Sequence, residues 1–111
     1  MPNSNDINSI VKSWQRVRNN LKTLSEKWNK KVIFTEIGYC QSQLSYICNR
    51  DRTYKPEQQL AMSNYYEAVF RTFENDDWFE GVFWWNWTTD FAFGGENDNC
   101  MTPQWKPAET V

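Results

Sequence analysis

Two short apolar runs decide what this chain can build. Val32-Ile33-Phe34-Thr35-Glu36-Ile37 and Gly81-Val82-Phe83-Trp84-Trp85-Asn86-Trp87 are rich in β-branched and aromatic residues, and runs of that length and composition form buried strands. A helical pattern precedes each run, and a long polar segment follows it. Ile7, Ile10, Val11, Trp14, Val17, Leu21, Leu24 and Trp28 recur in steps of three and four, which is one face of an amphipathic helix. Asp6 or Ser4 can cap its start, and Asn29-Lys30-Lys31 closes it with residues suited to a helix C-terminus. Pro56 fits the first turn of a second helix, whose face is marked by Leu60, Ala61, Tyr65, Ala68, Val69 and Phe73. The expected elements are a helix at about 6–29, a strand at about 31–37, a loop over 38–55, a helix at about 56–76, a strand at about 81–87, and a loop and tail over 88–111, all in one unit.

Alternation of helix and strand means βα units and a parallel sheet. The long, chemically rich segments follow the strands, whereas the helix-to-strand turns are short. That asymmetry belongs to a (β/α) barrel, whose active face is made by the loops after the strands. A complete barrel takes roughly 200 residues or more, and this chain has 111. The expectation is therefore an α/β fragment of a barrel, or a small open sheet that pairs with something else.

Charge and composition remove several functions. A net charge of -2 without any basic block argues against nucleic acid or an anionic membrane as partner. No apolar run approaches the roughly 18 residues needed to span a bilayer. Met1-Pro2-Asn3-Ser4-Asn5-Asp6 lacks the charged-then-apolar order of a signal peptide. With no histidine in the chain, the usual zinc sites and Ser–His or Cys–His pairs are excluded within it. The three cysteines are Cys40, Cys48 and Cys100. A Cys40–Cys48 bridge could staple the loop after the first strand, as suits a secreted protein, or all three are free thiols. Aromatic residues make 17% of the chain. Part of that is core, but indoles also stack on the apolar C–H faces of sugars, so carbohydrate is the favoured ligand class.

Glu36 is the first candidate for chemistry. A carboxylate at the far end of an apolar strand is costly to bury unless something pairs with it or uses it. Side chains alternate along a strand, so Val32, Phe34 and Glu36 are expected on one side, and Phe83, Trp85 and Trp87 on one side of the second strand. Trp84, on the other side, is expected in the core. Neighbouring parallel strands lie about 4.8 Å apart, close enough for an indole of the second to form a floor beside Glu36. The bland alternative for Glu36 is a structural carboxylate bonded to backbone or lysine.

The segments KKVIFTEIGY, WFEGVFWWNW, GGENDN and TPQWKPAE together resemble the C-terminal part of a clan A glycoside hydrolase, most closely glycoside hydrolase family 113, of the β-mannanase type. The resemblance covers the chain from about residue 10 onward. It implies a fragment of a (β/α)8 TIM barrel, about strands 7 and 8 with flanking helices. It implies retaining double-displacement hydrolysis of β-linked polysaccharide such as β-1,4-mannan, with Glu36 as nucleophile and no metal or organic cofactor. Trp85 and Trp87 match aromatic positions at the eighth strand's end, and Tyr39 and Asn86 are further candidates for substrate contact, loop packing being equally open for Tyr39. The partners implied are a polysaccharide or oligosaccharide and the rest of the barrel; secretion is an expectation for the full-length enzyme.

The family's acid/base glutamate follows an asparagine on the fourth strand, and no Asn-Glu pair occurs here. Glu80, Asp90, Glu96 and Asp98 are the acids available, and none matches that position. Two other functions stay open: non-catalytic carbohydrate binding or an inactive truncated product, and a β-glucanase or galactanase of the same clan. Asn86-Trp87-Thr88 is a glycosylation sequon, expected unused because a glycan there would block sugar entry. Glu96-Asn97-Asp98 fits no EF-hand spacing and reads as a solvated loop. The resemblance also implies Asp98 as a candidate for substrate contact.

Overall fold

In a computed structural model of the chain, residues 6–39, 56–98 and 101–111 are described. The Cys40–Cys48 pairing and Cys100 lie outside them. The order is α1 (Ile7–Trp28), β1 (Val32–Ile37), α2 (Pro56–Phe73), β2 (Phe79–Trp84) and a short 3-10 turn (Pro107–Thr110).

Local chemistry sets the ends of α1. The Asp6 carboxylate accepts the Ser9 backbone N–H at 3.0 Å, one of the orphan donors of a helix start. At the other end Asn29 takes the left-handed conformation, with φ 46°, a geometry asparagine tolerates at a helix C-terminus. The Lys30 N–H then returns to the Ser25 carbonyl at 3.1 Å, and the chain enters β1.

The two strands pair in parallel and form the whole sheet among the described residues. β2 starts and ends earlier than the sequence suggests, so Trp85, Asn86 and Trp87 lie beyond its last residue. Aromatic residues read alike inside and just past a strand, which is why the pattern misplaced its end. Both helices meet the sheet through rings. Phe73 stacks on Phe79 with centroids 4.4 Å apart, Trp14 meets both Phe34 and Phe73, and Trp84 lies flat on Tyr66 at 3.6 Å. Each such ring buries on the order of 150–250 Å², so this layer is the main source of cohesion. Met62 and Tyr66 of α2 form a second knot with Ala108 of the 3-10 turn, and Tyr39, Tyr65 and Trp84 pack against it.

The helix faces depart from expectation in two places. Val17, Leu24 and Trp28 are exposed, because α1, with 22 residues, runs about 33 Å and outreaches strands of six residues. On α2, Leu60 is exposed and Gln59 is buried instead. The Gln59 side-chain amide donates to the carbonyls of Gly95, Glu96 and Asp98 at 2.9–3.1 Å, so a polar residue anchors a loop where an apolar one was expected. Arg18 on α1 grips Asp76 in the turn before β2 through two bonds of 2.5 and 2.6 Å. Those bonds hold the Asp76 carboxyl below its usual range despite its burial, and the Arg18 guanidinium above its own.

Candidate active site

Glu36 owes its position to an irregularity in the ladder. Phe34 is opposite Val82, and Ile37 is opposite Trp84. Three steps along β1 thus match two along β2, which inserts one extra residue into β1, as a β-bulge does. Phe34 and Ile37 both end half-buried, while Ile33, Thr35 and Glu36 are exposed. Glu36 therefore stands with Ile33 on the open face, away from the helices. This corrects the expected row of Val32, Phe34 and Glu36. Simple alternation fails because the bulge shifts the phase between Phe34 and Ile37, and Phe34 packs against Trp14, Phe73 and Phe79.

β2 divides its aromatic residues in the same way. Phe83 is 64% exposed on the open face, whereas Trp84 faces the helices and meets Tyr65, Tyr66 and Phe70. Trp85 follows directly, and its backbone N–H donates to the Ile37 carbonyl at 2.7 Å. That bond fixes the start of the Trp85 segment one residue from Glu36. The next peptide, Trp85–Asn86, is cis. Trp85 and Trp87 are 49% and 52% exposed, and Asn86 is exposed between them. Tyr39 is placed differently. Its ring lies 5.3 Å from that of Tyr65 and packs on the Met62–Tyr66–Ala108 knot.

Gly38 explains the small residue after Glu36-Ile37. A Cβ there would sit 2.5 Å from the Trp85 carbonyl oxygen and 2.7 Å from the Met101 methyl. The end of β1, the Trp85 turn and the tail thus converge on a space that only glycine leaves open.

Three of the other acids have separate work. Glu80 pairs with Lys31 at 3.0 Å, near the opposite end of the strands. Asp98 pairs at 3.2 Å with Lys106, whose side chain is fully buried, and also accepts the Gly94 N–H at 3.0 Å. The expectation of a solvated loop around Asp98 is corrected: the tail folds back and buries its cation against that carboxylate. Asp90 accepts the Ala92 N–H. Among the described residues no group of three or more His, Cys, Asp or Glu side chains is arranged to hold a metal ion, and no helix is long and apolar enough to cross a membrane.

Sequence reasoning met Gly38 and Trp105 within their motifs but gave neither a role of its own. The signal for Gly38 was its place directly after a strand. For Trp105 it was a lone indole within a polar tail.

The site brings together a solvent-facing carboxylate and exposed indoles at one end of a parallel sheet. That combination can present a nucleophile or base to a ligand stacked on an aromatic floor. Comparison with curated proteins gives no match, and comparison with solved structures gives none. The family model for Glycoside Hydrolase Family 113 matches residues 3–100, a span that takes in α1, both strands, α2, Glu36 and the Trp85–Trp87 turn. The chain therefore belongs to glycoside hydrolase family 113, a (β/α)8 barrel family whose substrates are carbohydrates.

Proposed function

We propose that Glu36 is the nucleophile of a retaining glycoside hydrolase acting on β-linked polysaccharide, with β-1,4-mannan as first substrate, and that β1 and β2 correspond to strands 7 and 8 of its barrel. The observation that carries this assignment is the bulge in β1. It turns Glu36 onto the open face at the strand's end, one residue from the rung that starts the Trp85 segment.

A retaining enzyme needs two carboxyl groups about 5 Å apart. In the first step the Glu36 carboxylate attacks the anomeric carbon as the glycosidic C–O bond breaks, and the acid/base carboxyl gives its proton to the departing oxygen. In the second, water displaces Glu36 from the anomeric carbon and returns a proton to the acid/base. No Asn-Glu pair occurs in this sequence, and Glu80 and Asp98 are paired with lysines; the acid/base is assigned to an earlier strand of the barrel. Trp85 and Trp87 carry the sugar's C–H face, and Asn86, exposed between them, meets its hydroxyls. Tyr39 packs on Tyr65 and on the Met62–Tyr66–Ala108 knot just past the end of β1.

Hydrolysis of β-mannan by the full protein tests this. Glu36→Gln is expected to abolish turnover while leaving the melting temperature unchanged, since the side chain is exposed. Sugar binding without hydrolysis by the unmutated protein would establish the binding-only alternative, which the lack of an Asn-Glu pair in this sequence favours. Activity confined to β-glucan would refute the mannan assignment.

A further inference from the structure

Among the described residues two that are not glycine take the left-handed backbone: Asn29, at the end of α1, and Trp105, with φ 57°. For asparagine at a helix end this is ordinary. For a bulky residue it is an outlier. The surroundings of Trp105 force it. Gln104 is buried, donates its amide to the Phe93 carbonyl at 2.7 Å, and accepts the Gly95 N–H on its own carbonyl at 2.9 Å. Lys106 is buried on Asp98, and its N–H returns to the Pro103 carbonyl at 3.0 Å. The Trp105 N–H itself donates to the Glu109 carboxylate at 2.8 Å. Both neighbours point inward, and the indole, 61% exposed, points out.

Glycine would adopt this backbone without strain and expose no apolar ring. Strained residues persist where their surroundings over-determine them, and such residues cluster at ligand clamps. The frame also stands at the Glu36 end of the sheet. Met101 reaches the space over Gly38, and Gln59, in the first turns of α2, holds the Gly95–Asp98 loop. The exposed Glu109 carboxylate is held on the Trp105 backbone N–H and supplies an acceptor of the kind a sugar hydroxyl needs.

We propose that Trp105 is a second sugar platform, at the rim of the site, stacking on a pyranose of the polysaccharide away from the bond that is cut. It rests on the carbohydrate reading given above. The platform sets affinity for long chains more than for short ones.

The test is calorimetric binding of two-unit and six-unit β-1,4-manno-oligosaccharides to the intact protein, alongside its melting temperature. Trp105→Gly is expected to weaken six-unit binding by roughly tenfold, about 1.4 kcal/mol, and to shrink the ratio of six-unit to two-unit affinity. The melting temperature should hold or rise, because glycine relieves the backbone. Trp105→Phe is expected to retain most of the affinity. Unchanged six-unit affinity in Trp105→Gly would overturn the platform, as would a melting temperature lowered by several degrees, which marks a packing contact. Trp105-dependent binding by a protein that hydrolyses no β-linked glycan supports the platform and overturns the glycosidase. Glu36-dependent hydrolysis with undiminished six-unit binding in Trp105→Gly does the reverse. Failure of the intact protein to bind either oligosaccharide overturns both.

Discussion

The two faces of the β1–β2 sheet use the same residue types to opposite ends. On the helix side, Phe34, Phe79 and Trp84 are interlocked with Trp14, Tyr66 and Phe73 at centroid distances of 3.6–6.0 Å. On the other side, Ile33 and Phe83 stand exposed, and beyond the strand ends so do Trp85 and Trp87. Aromatic content therefore does not locate a sugar site. What separates a packed ring from an exposed one here is strand phase within β2 and, for Trp85 and Trp87, position past its last residue; an inserted residue in β1 sets the phase at Glu36.

The largest expected effect lies in the packed layer. Phe73→Ala removes a buried ring that touches Trp14, Phe34, Trp78 and Phe79 and should cost about 3–5 kcal/mol, read from urea unfolding. Phe83→Ala on the open face of the 111-residue chain should stay within about 0.5 kcal/mol of the unmutated value. Equal costs at the two positions would erase the distinction between the faces.

Arg18 and Asp76 hold the packed layer from outside the sheet. Asp76→Asn should lower stability at neutral pH by about 2 kcal/mol, between the values of surface and buried pairs. The folded Asp76 carboxyl lies below its usual range, chiefly through its hydrogen bonds from Arg18. The stabilisation is therefore complete above the unfolded aspartate value, about 3.9, and fades as pH falls through the lowered folded value. Unfolding curves of the two proteins should converge under acid. A gap that stays constant down to pH ~2 would detach the effect from this carboxylate.

A more modest loss is expected at the junction of the two regions. Gly38→Ala forces a methyl against the Trp85 carbonyl, and overpacking of this kind costs about 1–2 kcal/mol. Because the contact is backbone, it should also displace Trp85 and weaken sugar binding. A neutral Gly38→Ala with unchanged affinity would show that the end of β1 and the Trp85 turn are not tightly joined.

Much of this was legible in the residues. Both helices follow from their spacing in steps of three and four, and the parallel pairing follows from helix–strand alternation with long loops after the strands. Glu36 stood out as a carboxylate ending an apolar run. Other features arise only in the folded chain. The bulge is a mismatch between two strands, and nothing in Phe34-Thr35-Glu36-Ile37 alone announces it. Gln59, Asp98 and Lys106 look like solvated surface in sequence, because polar residues bury only once their partners converge from distant positions. Trp85 and Trp87 read as strand because the apolar run continues past the last rung.

The central claim is that Glu36 forms the covalent bond to the sugar. Trapping the intermediate in the full protein with a fluorinated β-mannoside, followed by peptide mass analysis, tests it most directly. The expected label lies on Glu36 and is absent from Glu36→Gln. A label on another carboxylate, or undiminished mannan hydrolysis by Glu36→Gln, would contradict it.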